Sequence, residues 1–295
     1  MTTLTRIRGP LLHPRITVLL RPNGEIQLGW HSGTTLRLSP AGPVEAAPAL
    51  LRLLDGLHTT PQILWQARAL GFGTEDTQRM LDELAAAGLF ADDEPRSRLR
   101  EVRVHGRGPL SDALAEGVQR IGLRPSRSRD QDFAQRGGAG AEPVDPASPG
   151  LVVLADALVP EPAVVADLMR RGVPHLQVRI RDGYGVVGPL VLPGVSSCLR
   201  CADLHRCDLD SEWPQLSAQL LGRAGYASPA GIAATAALAL KDIETIAHGR
   251  AENPPVTLNT TLELDLESPH IDYRPWPVHP RCGCIPCGNS ESDRL

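Results

Sequence analysis

The fold is decided by residues 101–123, EVRVHGRGPLSDALAEGVQRIGL. This stretch has the pattern of a short strand with alternating apolar residues, a turn at Gly106 and Gly108, and an amphipathic helix. That order is typical of the entrance to a dinucleotide-binding Rossmann fold. Ser111 stands where the third glycine of the binding motif is expected, so the nucleotide signal is weak.

The sequence that follows continues an α/β pattern. LVVLAD predicts a buried parallel strand, PAVVADLMRRG predicts its helix, and PHLQVRIRDGYGVVGPLVLPG predicts two strands joined at Asp182-Gly183. Residues 229–249 predict a long alanine-rich helix, and VTLNTTLELDLES predicts late strands. Residues 126–150 are rich in Gly, Pro and Ser, which predicts a loop around at most one strand. We therefore predict a Rossmann-like domain over residues 101–295.

The amino-terminal part predicts a separate small domain. Short runs from Ile16, namely ITVLLR, EIQLGW and TTLRLS, are separated by Asn-Gly and Ser-Gly, which indicates a three-stranded antiparallel sheet. Three helical patterns follow, and we place the caps of the second and third helices at Thr60 and Thr74. Residues 1–92 are thus predicted to form a β3α3 domain, and DDEPRSRLR a linker.

Composition narrows the classes of function. The chain has 295 residues, 42% of them hydrophobic, which is enough for two domains with cores. The formal net charge is -4 with mixed signs along the chain, so the sequence suggests neither nucleic acid nor a membrane as a partner. The amino-terminal stretch has no continuous apolar segment, and we expect a cytoplasmic protein.

Two cysteine pairs predict a metal site. Cys198 and Cys201 form one CxxC, Cys284 and Cys287 form another, and Cys282 overlaps the second pair. Two such pairs can supply four thiolates to a tetrahedral structural Zn²⁺. We predict Cys198, Cys201, Cys284 and Cys287 as ligands, and leave open whether Cys282 replaces one of the last two. The alternatives are free buried cysteines or a redox CxxC.

These residues also carry a family resemblance. GVPHLQVRIRDGYGVVGPLVLPGVSSCLRCADLHRCDLDSEWPQL, with the terminal HPRCGCIPCG, resembles the ThiF/E1-like (ocin-ThiF) proteins associated with cyclodehydratases. Those proteins act in the biosynthesis of thiazole/oxazole-modified peptides, a class of ribosomally synthesised and modified peptides (RiPPs). GEIQLGW and LLRLLDGLHTTPQIL resemble a RiPP recognition element, the PqqD-like winged-helix module. The expected fold is therefore a winged-helix-like domain followed by a degenerate Rossmann-like E1/ThiF domain with a structural zinc site.

The resemblance implies a protein that binds the leader of a precursor peptide and presents the peptide to a YcaO-type cyclodehydratase. In the family the leader lies between the third strand and the third helix. Carried over to this sequence, the groove consists of Thr34, Thr35, Leu36, Arg37, Leu38, Arg79, Met80 and Glu83. The alternative is that Leu36, Leu38 and Met80 are core residues and that Arg79 and Glu83 form a solvated face.

The resemblance leaves open whether the chain itself uses ATP. Active E1-like enzymes carry an Asn-x-x-Arg segment, which SRSRDQDFAQR lacks, and Lys241 lies in the late helix. Asp156 is the one well-placed acid, and we interpret it as a strand-end acid or helix cap; His205 and His279 are interpreted as hydrogen-bonding groups. We expect a scaffold with no catalytic residue and no ATP.

Three further points stay open or are set aside. An ATP-dependent adenylyltransferase acting on a peptide or carrier carboxylate is the alternative function. A winged-helix DNA-binding regulator is disfavoured, because EDTQRMLDELAAAG carries more acid than base where a recognition helix would meet phosphates. The sequence leaves open whether the protein forms a homodimer.

Overall fold

The structure is a computed structural model that describes residues 9–31, 35–39, 41–91, 99–128, 150–249, 254–268 and 270–285. The chain divides into two compact units, Met1–Pro95 and Arg96–Leu295, and each is described by itself. Within the described residues, no helix is both long and apolar enough to span a membrane.

The first unit contains a three-stranded antiparallel sheet followed by three helices, as predicted. The strands pair in the order β1-β2-β3. Their bounds are β1 Val18–Leu20, β2 Ile26–Leu28 and β3 Leu36–Leu38, and those of the helices are α1 Ala47–Arg52, α2 Thr60–Ala69 and α3 Thr74–Ala86. A short 3-10 helix, Val44–Ala46, leads into α1.

The core of this unit forms because alternate strand residues and one stripe of each helix are apolar. Ile26 and Leu28 of β2 are fully buried and pack in one cluster with Ile63 of α2 and Leu84 of α3. The predicted caps were wrong by one residue. Thr59 precedes α2, where its N–H donates to the side chain of Gln62 at 2.8 Å, and Gly73 precedes α3.

The second unit is a mixed α/β fold built on a seven-stranded sheet. The strand order is β10-β9-β8-β7-β6-β4-β5, in which β5, β4, β6 and β7 run parallel and β8 to β10 continue antiparallel. The strands are β4 Glu101–His105, β5 Arg124–Ser128, β6 Leu151–Ala155, β7 His175–Arg181, β8 Tyr184–Val191, β9 Thr260–Asp265 and β10 Ile271–Pro275. The helices are α4 Pro109–Arg120, α5 Pro162–Arg170, α6 Leu199–Leu209, α7 Trp213–Ala218 and α8 Pro229–His248.

Helices cover both faces of this sheet. Leu151 and Val153 of β6 face the cluster that contains residues of α4 and α8, whereas Val152 and Leu154 face the cluster that contains residues of α5 and α6. Alternate residues of a strand point to opposite faces, so a strand buried on both sides is apolar throughout. This is why LVVLA is a continuous apolar run.

Candidate functional site

The four cysteine sulfurs near the start of α6 lie close enough together to bind one metal ion. The Sγ atoms of Cys198 and Cys201 are 3.8 Å apart, those of Cys198 and Cys282 are 3.4 Å apart, and those of Cys201 and Cys284 are 3.4 Å apart. A tetrahedral zinc site with bonds of about 2.3 Å places its sulfurs about 3.8 Å from one another. The arrangement is therefore compatible with zinc.

The protonation of these thiols also fits a cation site. Burial, together with the neighbouring sulfurs, raises the pKa of the Cys284 thiol to about 12 and moves the pKa of Cys282 upward as well. Burial also acts to raise the pKa of Cys201, but hydrogen bonds with the backbone of His279 and Cys198 and with the sulfurs of Cys284 and Cys282 together outweigh it and lower this pKa. Four adjacent thiolates repel one another, and a bound dication removes that penalty.

The cluster differs in one member from the predicted ligand set. Cys198, Cys201 and Cys284 meet as expected, and Cys282 supplies the fourth sulfur among the described residues. Cys287 lies outside the described residues, so its assignment stays a prediction. Gly283 has φ 68, a left-handed conformation that turns the chain tightly between its two cysteine neighbours. The overlapping Cys282-Gly-Cys284 in the sequence was the signal for this pair.

The segment before Cys282 is fastened to α6 by polar contacts. Nε2 of His279 lies 2.7 Å from a carboxylate oxygen of Asp208, which also pairs with Arg281, and Nε2 of His205 lies 3.0 Å from the carbonyl oxygen of Pro277. The hydrogen bond to His279 and the charge of Arg281 hold the pKa of Asp208 below its usual range. The two histidines thus hydrogen-bond locally, as predicted.

The glycine turn between β4 and α4 is occupied by the carboxylate of Asp156. This residue follows β6, has φ 68, and accepts the N–H of Leu110 at 3.2 Å and that of Ser111 at 3.3 Å. A negative charge at the start of a helix is stabilised by the free N–H groups and the helix dipole. Asp156 is therefore a helix cap, and it acts across 46 positions of sequence.

The two glycines of the turn leave room for the end of β6 and for this carboxylate. A Cβ at Gly108 would lie 2.6 Å from one carboxylate oxygen of Asp156. A Cβ at Gly106 would lie 2.7 Å from the carbonyl oxygen of Ala155 and 2.9 Å from the other carboxylate oxygen of Asp156. Ser111 replaces the third glycine of the motif, accepts the N–H of Gly108 at 3.0 Å and donates to its carbonyl at 2.8 Å. In dinucleotide-binding folds this position belongs to a phosphate, whose charge Asp156 would repel.

The predicted peptide groove is divided between core and surface. Leu38 and Met80 are 3% and 4% exposed and belong to the core, so their side chains are closed to a docked peptide. Arg79 is exposed and pairs with Asp76. Glu83 and Arg37 are exposed, and Thr35 and Leu36 are partly buried. Thr34 lies outside the described residues.

Strand β3 offers main-chain groups at an open edge. Among the described strands it pairs only with β2. The N–H of Gly29 donates to Thr17 at 2.8 Å and the N–H of Arg21 donates to Glu25 at 2.9 Å, so the odd-numbered residues of β2 bond to β1. Its even-numbered residues then bond to β3. Since these pair with Leu36 and Leu38, the N–H and C=O of Arg37 face the open edge.

Comparison with known proteins shows the fold. A scan against protein-family models finds no match, and a search of curated proteins finds none. Among solved structures, the heterocyclase TruD superposes with a TM-score of 0.62 at 18% identity, covering 94% of this chain and 42% of TruD. The chain shares its fold with the matched part of TruD. A heterocyclase in complex with substrate and cofactor gives 0.64 at 17% identity, covering 95% of this chain and 40% of that one.

A second kind of neighbour matches over nearly its whole length. E. coli MccB, solved with AMPCPP and selenomethionine MccA, gives a TM-score of 0.60 at 11% identity, covering 93% of this chain and 99% of MccB. The chain thus spans less than half of the two heterocyclases and almost all of MccB. At such identities the likeness establishes the shared fold.

Proposed function

We propose that the protein binds the leader of a ribosomal precursor peptide and presents the peptide to a YcaO-type cyclodehydratase for azoline or azole formation. The open edge of β3 in the first unit carries this proposal. Two likenesses of fold support it, one to a heterocyclase solved with its substrate and one to MccB solved with MccA. The sequence resemblance to ocin-ThiF proteins and to a RiPP recognition element points the same way.

The binding step is addition of the leader as a fourth strand. A peptide alongside β3 gains main-chain hydrogen bonds from the outward N–H and C=O of Arg37, and specificity comes from side chains that it meets on either face. Leu36 and Leu38 face the core, so the peptide contacts the backbone of β3 and the exposed side chain of Arg37. Leu38 and Met80 hold the strand in place from beneath.

The second unit acts as a scaffold without ATP-dependent chemistry in this proposal. Asp156 already caps α4 at the position where a nucleotide phosphate would bind. The cysteine cluster would hold zinc through four protein sulfurs, which leaves no open coordination position. Zinc there supplies a cross-link between α6 and the segment around Cys282.

Fluorescence polarisation with a labelled leader tests strand addition. The leader comes from the precursor gene next to this one, and Arg37→Pro removes the outward donor while leaving the bonds between β2 and β3. We expect an affinity up to about tenfold weaker, since the variant loses one main-chain hydrogen bond to the leader, worth about 0.5–1.5 kcal/mol. Arg37→Ala separates the side chain from the backbone and should cost less.

Leu20→Pro is the matched control. Leu20 pairs with Ile26, an even-numbered residue of β2, so its own N–H faces outward at the opposite edge of the same sheet. This variant should bind the leader as the unchanged protein does. If Arg37→Pro keeps full affinity while its circular dichroism spectrum is native, the leader does not add to β3.

A further inference from the structure

The second unit contains a cavity of about 540 Å³ that the proposed function does not use. It lies over the carboxyl half of β7, on the face opposite α4 and α8, and is bordered by α6, α7 and the loop after β6. Its volume is in the range of small-molecule binding sites. Gln177 and Arg179, two residues apart on β7, line its base together.

Arg179 is a buried cation that forms no ion pair with the residues that the structure describes. The residue is only 6% exposed to solvent. No residue in the described ranges forms a hydrogen bond or an ion pair with its guanidinium. Burial, with the nearby charges of Arg206 and Arg181, lowers the pKa of Arg179 to about 9. The charges of Asp203 and Glu263 offset this effect only in part. A buried charge is ordinarily paired, so the guanidinium can accept an anion from outside the chain.

The other two arginines of the cavity are already satisfied. Arg181 pairs with Glu263 at 3.1 Å. Arg206 pairs with Asp203 at 2.9 Å, and its guanidinium stacks on the rings of Trp213 and Trp276 at 5.2 and 4.6 Å from their centroids. These contacts hold two walls of the cavity in place, and among the arginines that line it in the described part of the chain, Arg179 is the one without an ion pair.

A second unsatisfied group lies beside Arg179. Nε2 of Gln177 is buried, and it has no hydrogen-bond partner among the residues that the structure describes. Buried polar groups are rarely left without partners, so an unpaired amide donor next to an unpaired guanidinium indicates a site for an acceptor. The two side chains together present N–H donors suited to a carboxylate or phosphate.

The remaining lining favours a carboxylate over a phosphate. Three acids, Asp182, Asp203 and Asp210, also border the cavity, and they would repel a multiply charged phosphate group more strongly than a single carboxylate. Apolar surface from Leu158, Pro189, Leu199, Leu209, Trp213 and Leu220 forms much of the rest. A ligand of one negative charge on an apolar body fits this lining.

We propose that this cavity binds a peptide carboxylate, an acidic side chain or a chain end, with Arg179 and Gln177 as its donors and apolar neighbours in the walls. That the ligand is a peptide rests on the proposed function. The cavity would then be a second contact for the precursor peptide, separate from the edge of β3. The second unit would thereby select peptides that carry one negative charge at this position.

Calorimetry on the full-length protein with small probes tests the ligand class. The probes are acetyl-Leu-Glu-Leu-amide, acetyl-Leu-Gln-Leu with a free carboxyl end, the neutral acetyl-Leu-Gln-Leu-amide, and AMP. We expect at least one carboxylate peptide to bind about tenfold or more tightly than the neutral one, and which one does so separates a side chain from a chain end. Equal binding of the neutral peptide, or tighter binding of AMP, overturns the proposal.

Variants test the two donors. Arg179→Gln should lower the affinity for the preferred carboxylate probe by about tenfold or more. Gln177→Glu keeps the side-chain shape and places a carboxylate of the protein itself beside Arg179. This carboxylate competes with the probe and pairs with the buried guanidinium, so the variant should bind the probe similarly weakly and have a higher melting temperature. Arg120→Gln, which removes an exposed arginine of α4, is the control and should leave probe affinity unchanged.

The outcomes separate this proposal from leader docking. If Gln177→Glu folds and binds the carboxylate probe as tightly as the unchanged protein, the cavity assignment is wrong, even where Arg179→Gln fails to fold. Leader affinity that still depends on Arg37 would then leave strand docking intact. The converse result is also informative. If Gln177→Glu loses probe binding while Arg37→Pro leaves leader affinity unchanged, the cavity proposal is supported and strand docking is wrong.

Discussion

The Sγ atoms of Cys198 and Cys282 lie 3.4 Å apart although 84 positions separate the two residues in the sequence. Cys198 directly precedes α6, and Cys282 follows the segment that His279 and Arg281 tie to Asp208 of that helix. The polar contacts and the sulfur cluster therefore both join the segment around Cys282 to α6. A metal ion bound to the four sulfurs would stabilise this connection directly.

One zinc ion per chain is the first expectation. Elemental analysis of the purified protein should find it, and Cys198→Ser or Cys282→Ser should lower the zinc content well below one and reduce the melting temperature, since each removes a sulfur from the cluster. Cys207→Ser is the control, because this cysteine is not part of the cluster. Full zinc in Cys198→Ser would rule out this site.

The two possible ligand sets give different results. With Cys282 and Cys284 as the carboxyl-terminal ligands, Cys287→Ser retains zinc and Cys282→Ser loses it; with Cys284 and Cys287, the pattern reverses. The sulfur positions favour the first outcome. Zinc release measured with a chromogenic chelator during a thermal ramp reports the difference in retention.

Removing the carboxylate that caps α4 should destabilise the second unit. Asp156→Ala leaves the N–H groups of Leu110 and Ser111 without their acceptor, which costs about 0.5–2 kcal/mol in comparable helix caps. Urea unfolding measures the loss. Glu116→Ala, which removes one exposed pair with Arg120, is the control and should cost about 0.5 kcal/mol or less. A loss for Asp156→Ala no larger than the control would contradict the capping role.

A double-mutant cycle tests why Gly108 is a glycine. Alanine there would place its Cβ 2.6 Å from a carboxylate oxygen of Asp156, so Gly108→Ala alone should cost about 1–3 kcal/mol through overpacking. In the Asp156→Ala background the obstacle is gone, and the same change should cost at least about 1 kcal/mol less. Additive losses would mean that the glycine serves something other than this carboxylate.

The buried carboxyl of Asp242 should make the free energy of unfolding depend on pH. Burial raises the pKa of this carboxyl, and hydrogen bonds from Thr257 and Val256 only partly offset the effect. Its pKa is therefore higher in the folded protein than in the unfolded chain. The stability contributed by the protonated form is full below about pH 3.9 and is lost as the pH rises through the folded value.

Asp242→Asn removes this titration. The free energy of unfolding of the variant, relative to the unchanged protein, should therefore increase between about pH 4 and neutral pH. Urea unfolding of both proteins across this range measures the difference, and effects of pH on the cysteine cluster cancel in the comparison. A difference that stays constant with pH would show that Asp242 has no raised pKa.

Elements with an apolar pattern could be predicted from the sequence, whereas polar edge strands could not. The continuous run of β6 and the alanine-rich α8, with Gly249 after it, appear where the sequence indicates. Strand β5, RPSRS, starts before the predicted loop and has no apolar periodicity, because it is an edge strand that pairs with β4 among the described strands and whose Arg127 pairs with Asp112 of α4. The opposite edge, β10, is mostly exposed and is similarly weak in pattern.

The sequence by itself determined the α/β class, the two-part order of the chain and the cysteine pairs, because these depend on local periodicity and spacing. Three features depend on the tertiary structure: which sulfurs meet, the position of Asp156 in the turn of Gly106 and Gly108, and the burial of Arg179 without an ion pair among the described residues. Each of these depends on side chains from distant strands and helices. Their distances are set by sheet order and packing, which no local pattern of residues specifies.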